Sequence, residues 1–241
     1  MKRVIDVSLL ELVKVLKKAE FMYGLLGLGV LGLGMAYGAY MYPDSFGVEN
    51  VIGFYGNFAG FLIMYLSAKS LGEEFDLKTA TFVFTSRSTR GKIIIAKMIS
   101  LILASAIVGL CGGVIYDVSI IICREPWTMS ILSLNLLRTV FDYIIYGFGL
   151  GALGILLTCV HTSTITSFVY LVILFWMFPG ILDLIAHKLS FVGAAMDYMV
   201  FCLANEVIMN QNDCLKNILV FIVSGFIFMI MSVEILRKKD L

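Results

Sequence analysis

Apolar residues in this chain neither alternate nor keep to one helical face. They run in six blocks, about residues 21–42, 48–70, 93–116, 131–160, 165–185 and 215–236, with short polar stretches between them. About 20 consecutive apolar residues are what about 30 Å of hydrocarbon asks of a helix. The pattern predicts an all-α integral membrane protein with six transmembrane helices in a single domain spanning 1–241. Short connections leave no room for a separate soluble domain.

Three segments outside the blocks have a pattern of their own. Residues 7–20 place Leu9, Leu10, Leu12, Val13 and Leu16 near helical spacing, with Lys14, Lys17 and Lys18 close behind. Ser8 and Glu11 stand at capping-box spacing. This predicts an amphipathic helix in the membrane interface with its lysines toward headgroups. Residues 72–85 mix Glu73, Glu74 and Asp76 with Phe75, Leu77, Ala80, Phe82 and Phe84, an apolar content that a free loop would not keep. Residues 186–212 are too polar to span, with Asp197, Asn205 and Glu206, and too apolar for a loop, with Phe191, Val192 and Phe201. They predict a pair of short helices dipping into the outer face, where irregular backbone needs protein or water around it.

Composition agrees with the pattern. Hydrophobic residues make up 60% of the chain and the mean hydropathy is +0.97, more than a soluble domain keeps in solution. The formal net charge of +1 gives no reason to expect nucleic acid. No cleavable secretory signal is expected, because the first apolar block continues to full span length. Lys2, Arg3, Lys14, Lys17 and Lys18 precede span 1. Lys69, Lys78, Arg87, Arg90, Lys92 and Lys97 flank the connection between spans 2 and 3, and Arg237, Lys238 and Lys239 follow span 6. The opposite side has only Arg124, Arg138, Lys188 and Lys216. The excess of basic residues marks the cytoplasmic side, so both termini are expected there, in a multi-pass protein of the cell membrane.

Most familiar motifs reduce to packing. Gly27, Gly29 and Gly32 match GxGxxG, but a dinucleotide site needs a preceding strand, and this run lies inside a span. It reads, like Gly34/Gly38, Gly56/Gly60, Gly109/Gly113 and Gly147/Gly151, as a small-residue face for close helix approach. There is no GxxxxGK[ST], so the chain has no phosphate loop of its own, and no HExxH. Glu73-Glu74 is similar to the paired glutamates of intramembrane prenyl-protein proteases, but position 78 is lysine where those enzymes need arginine. The histidines, His161 and His187, lie far away, so no metal site is expected. The five cysteines make no CxxC; Cys202 and Cys214 could bridge on an oxidising side.

Ionisable residues at membrane depth are costly and mark candidate sites. Arg138 and Asp142 are four apart in span 4, as are Asp183 and His187 at the end of span 5, and Asp117, Asp197 and Glu206 add acids on that side. They read either as wet interface residues or as the lining of a substrate exit. With Arg138, Asp142, Asp183 and Glu206, the softer Met177 and Met196 complete a candidate substrate path. Phe61, Met64, Phe168, Trp176 and Met199 are further candidates for an adaptable lining.

The segment from Gly72 to Lys97 resembles one part of the membrane subunits of type 2 ABC exporters. There, an acidic residue after span 2 opens a short cytoplasmic helix, a Ser-Arg turn follows, and a Gly/Lys step enters span 3. Glu73 or Glu74, Ser86-Arg87, and Lys92 or Lys97 take those places here, while Phe82-Val83-Phe84 stands where a leucine run is common. Six spans, an N-terminal interfacial helix and a re-entrant pair before span 6 extend the resemblance over nearly the whole chain. It implies a permease subunit and no enzyme, driven by two copies of a cytoplasmic ABC ATPase, with a second permease chain, identical or related. It further implies a coupling helix over 72–85, with Glu73, Glu74, Phe75, Asp76, Leu77 and Arg87 against the ATPase. No cofactor is expected on this chain, and ATP and Mg would sit in the partner. The implied cargo is amphipathic (a peptide, drug or lipid), with export of, or immunity to, antimicrobial peptides among the roles. The other readings are a self-sufficient secondary transporter or channel and an intramembrane enzyme.

Overall fold

A computed structural model of the chain describes residues 2–81, 90–208 and 215–239. Among them the protein is helical throughout, with no strand. The helices are α1 (Lys2–Leu16), α2 (Ala19–Met41), α3 (Val48–Asp76), α4 (Arg90–Ile122) and α5 (Met129–His161). They continue with α6 (Thr164–Val172), a π-helical turn (Ile173–Met177), α7 (Phe178–Ala186), α8 (Ser190–Met196), α9 (Val200–Ile208) and α10 (Leu215–Lys238). Six segments are long and apolar enough to cross a membrane: α2, α3, α4, α5, α6 through α7, and α10. The protein is a multi-pass membrane protein.

The boundaries shift from the sequence reading in four places, one being span 3, which runs on to Ile122. The first helix starts at Lys2 and ends at Leu16, because Lys18 takes an extended conformation as the cap of α2. Span 2 runs on to Asp76 in one unbroken helix, so Glu73 to Asp76 belong to its last turn. Span 5 is interrupted by the π-helical turn just before Pro179, which has no N–H to donate to the carbonyl four residues back and whose ring crowds that carbonyl, so the ladder widens there.

Local chemistry fixes several helix ends. The Thr128 hydroxyl accepts the Ile131 N–H at 3.3 Å and caps α5. After α3, Lys78 has φ 56°, and the Thr79 N–H donates to the Glu74 carbonyl at 2.9 Å. This is a Schellman closure with lysine where glycine is usual. Arg124 (φ 59°) closes α4 in the same way.

Three spans form the hub. Over their most apolar windows α3, α4 and α5 are 67%, 61% and 78% buried, against 22%, 11% and 17% for α2, the α6–α7 span and α10. The outer three turn most of their apolar surface outward, as helices bordering lipid do. Small residues bring the hub together. A Cβ built on Gly109 of α4 would stand 2.7 Å from Tyr143 Cβ of α5, and Gly147 of α5 meets Ser105 of α4 just as closely. Gly27, Gly34 and Gly38 of α2, by contrast, face open space, so only part of the sequence's small-residue faces pack within the bundle.

Gly109→Val is therefore expected to force α4 and α5 apart. Overpacking of this kind costs about 1–3 kcal/mol. The check is the thermal midpoint in mild detergent, which should fall well below that of the parent, while Gly34→Val leaves it in place.

Candidate functional site

The face of the bundle that carries the N-terminus gathers the charges. α1 packs on it through Leu12, Val15 and Leu16, and the chain turns into α2 at Lys17 and Lys18. The ends of α3, α5 and α10 and the starts of α4 and α6 meet there, as their cross-links show.

At its centre is Lys97, two turns inside α4 and only 2% exposed. Two turns is about 10 Å along the axis, deep enough that an unpaired ammonium would be very costly. The structure supplies three acceptors. Lys97 Nζ lies 3.3 Å from Glu74 Oε1 and 3.6 Å from Glu11 Oε2 of α1, and it donates to the Ser70 carbonyl. Glu74 is 8% exposed and divides its carboxylate. Oε1 faces Lys97 and, at 3.8 Å, Lys14, while Oε2 accepts the Thr79 hydroxyl at 2.9 Å. Glu73 pairs with Lys18 and, at 3.7 Å, with Lys14. Beside it Lys69 pairs with Glu20, which also accepts the Tyr65 hydroxyl at 3.1 Å. A shallow groove opens between Glu11, Lys14, Lys18, Glu20, Lys69 and Glu73.

This arrangement changes the reading of α1. Lys14 and Lys18 are turned to the glutamates of α3, and of the three lysines only Lys17 makes no ion pair among the described residues. The outward side of α1 is apolar, with Leu9, Leu10 and Val13 exposed.

The remaining residues expected to meet a partner divide. Asp76 accepts the Thr164 N–H at 3.3 Å and so holds the start of α6, a favourable place for a carboxylate. Phe75 lies under Lys239, whose Nζ is 5.7 Å from the ring centroid and donates to the Cys159 carbonyl at 2.6 Å. Arg90 ties α4 to the end of α10 through the Leu236 and Lys239 carbonyls. Leu77 is 65% exposed, and the helix resumes at Ala80 and Thr81. Arg87 and the rest of the stretch from Phe82 to Thr89 lie outside the described residues.

The candidate substrate path is not brought together. Arg138 and Asp142 are half-buried on α5, Met177 and Asp183 are exposed, and Met196 is half-buried on α8. Glu206 sits on α9, its side chain outside the described residues, as is Cys214. A narrow cleft with room for about one water does form where Met64, Tyr146, Trp176, Asn57 and Ala204 meet, and Trp176 packs on Phe61 with centroids 4.6 Å apart and ring planes tilted by 45°. Of the proposed soft lining, Met64 and Trp176 reach that cleft. Asn57 and Tyr146 were not singled out from sequence, because nothing local marks one polar residue in a span as cleft-facing.

Set beside known protein families and curated protein sequences, the chain matches none.

Proposed function

We propose that this protein is the membrane-spanning permease subunit of an ATP-driven exporter of the type 2 ABC class. The observation that carries the reading is the end of span 2. There α3 runs past its apolar stretch, closes in a tight turn that exposes Leu77, and re-enters helix at Ala80, all above a buried charged cluster. A protein surface that receives mechanical work needs an exposed apolar anchor on a rigid base, and this turn supplies both. Two copies of a soluble ATPase, holding ATP and Mg, would dock here at Leu77 and the residues after it. Arg87 is the proposed cationic contact, and Glu73 and Glu74 act from behind by fixing the turn. The basic face is then cytoplasmic, α1 lies in the interface, and α8 with α9 re-enters the outer leaflet of the cell membrane. A second permease chain, identical or related, completes the passage for an amphipathic peptide, drug or lipid. Arg138, Asp142, Met177, Asp183, Met196 and Glu206 stay as the proposed exit.

The π-helical break before Pro179 favours a second reading, a self-sufficient secondary transporter, since such proteins bind substrate at interrupted helices. One experiment separates the two. The chain is withdrawn in mild detergent from its native membrane and the eluate is assayed for ATP hydrolysis. A stoichiometric soluble ATPase supports the exporter. A chain that purifies alone, with no hydrolysis, overturns it in favour of the secondary transporter.

The topology has its own check. Cysteines placed at positions 88 and 126 are expected to react with an impermeant maleimide from opposite sides of sealed vesicles. Reaction of both from one side would overturn the assignment of faces.

A further inference from the structure

We propose that Thr79, Glu74 and Lys97 form a relay that couples the exposed turn after span 2 to the seating of α1 on the bundle. The inference deepens the proposed function and rests on that reading for what pushes the turn; the relay itself belongs to this chain alone.

The geometry is continuous. Thr79 is the first residue after left-handed Lys78, so any displacement of the turn moves its hydroxyl. That hydroxyl donates to Glu74 Oε2 at 2.9 Å. The other oxygen of the same carboxylate holds Lys97 at 3.3 Å, and Lys97 in turn holds Glu11 of α1 at 3.6 Å. Lys14 of α1 reaches Glu74 as well, at 3.8 Å. Every link is a charge or a hydrogen bond to a charge, and such bonds strengthen one another where water is scarce.

The cluster also gives α1 two affordable positions. If α1 lifts away, Lys97 loses Glu11 but keeps Glu74 and the Ser70 carbonyl, so no buried charge is left alone. Glu11 and Lys14 are partly exposed and pass to water. A buried pair that stays intact while its outer partners exchange is what a two-position element needs. The turn tips the balance by taking or leaving Oε2 of Glu74.

The test reads α1 directly. Ser8 of α1 itself is 1% exposed, so Ser8→Cys reports lifting of the helix by its rate of maleimide labelling. The rate is read at that peptide by mass spectrometry, with the native cysteines left in place. In the full chain in lipid nanodiscs, adding Thr79→Val should raise the rate roughly tenfold or more, the effect of losing one hydrogen bond to a charged group. Thr79→Ser should keep the slow rate. In a background carrying Glu74→Gln and Lys97→Met together, which removes both buried charges, Thr79→Val should add nothing, since coupled residues are non-additive. An unchanged rate with Thr79→Val would overturn the relay. So would a fast Thr79→Ser variant, or a full effect in the neutralised background. Because no ATPase is present, failure here leaves the exporter reading to the pull-down, and failure there leaves the relay standing.

Discussion

Lys97→Met should be the most damaging single substitution in the protein. It removes the cation and leaves the Glu74 carboxylate 8% exposed, with Lys14 at 3.8 Å as its remaining cationic partner. Breaking a buried pair from one side costs about 3–5 kcal/mol, most of it the penalty of the charge left behind. The expected result is loss of most monodisperse protein after detergent extraction and a large fall in the thermal midpoint. Adding Glu74→Gln should recover much of that loss, because neither buried charge remains, and Lys97→Arg should stay near the parent. Equal damage from Lys97→Met with and without Glu74→Gln would mean that side-chain volume, and not charge, is what position 97 supplies.

Leu77→Glu should weaken capture of an ATPase partner more than tenfold while leaving stability untouched. Leu77 is 65% exposed and packs on little of its own chain, so its replacement has no folding cost of note. As a central apolar anchor of an interface it would be worth about 2 kcal/mol or more, a drop of more than tenfold in affinity. Glu73→Ala with Glu74→Ala should behave differently. Those glutamates hold α1 and Lys97, so the pair should lower the thermal midpoint and partner-stimulated ATP hydrolysis together. Co-purification and melting on the same samples check both. Undiminished capture by Leu77→Glu would move the docking surface away from the turn.

The two substitutions differ for a reason that local sequence could not supply. Glu73, Glu74 and Leu77 look alike as members of one mixed stretch after a span. In the structure α3 continues to Asp76, so the glutamates stay on a helix that faces α1 and α4, while Leu77, after its last turn, projects outward. The partners of Glu74 stand at positions 14, 79 and 97. Apart from Thr79 these are too distant in sequence for any spacing rule to pair them.

Gly34 and Gly109 make the same point within the membrane. Both are span glycines on small-residue faces. Gly109 is pressed against Tyr143, and Gly34 has open space in front of it. A glycine marks where backbones can approach; it does not say whether a neighbour comes.

By itself the sequence determined the class of this protein. Blocks of about 20 apolar residues have one stable solution in hydrocarbon, a helix that satisfies its own backbone, and so six spans could be placed, although spans 2 and 3 run on to Asp76 and Ile122, past their expected ends. Which spans form the hub, which face of each is buried and which charges meet were decided only by the tertiary structure. Hydrophobicity along these spans is nearly uniform, because lipid and protein interior are equally apolar, so the contrast that marks a buried face in a soluble helix is missing. The charged cluster followed the same logic. Burial of Lys97 is tolerable only once α1 and α3 have brought Glu11 and Glu74 to it, and that meeting exists only in the folded bundle.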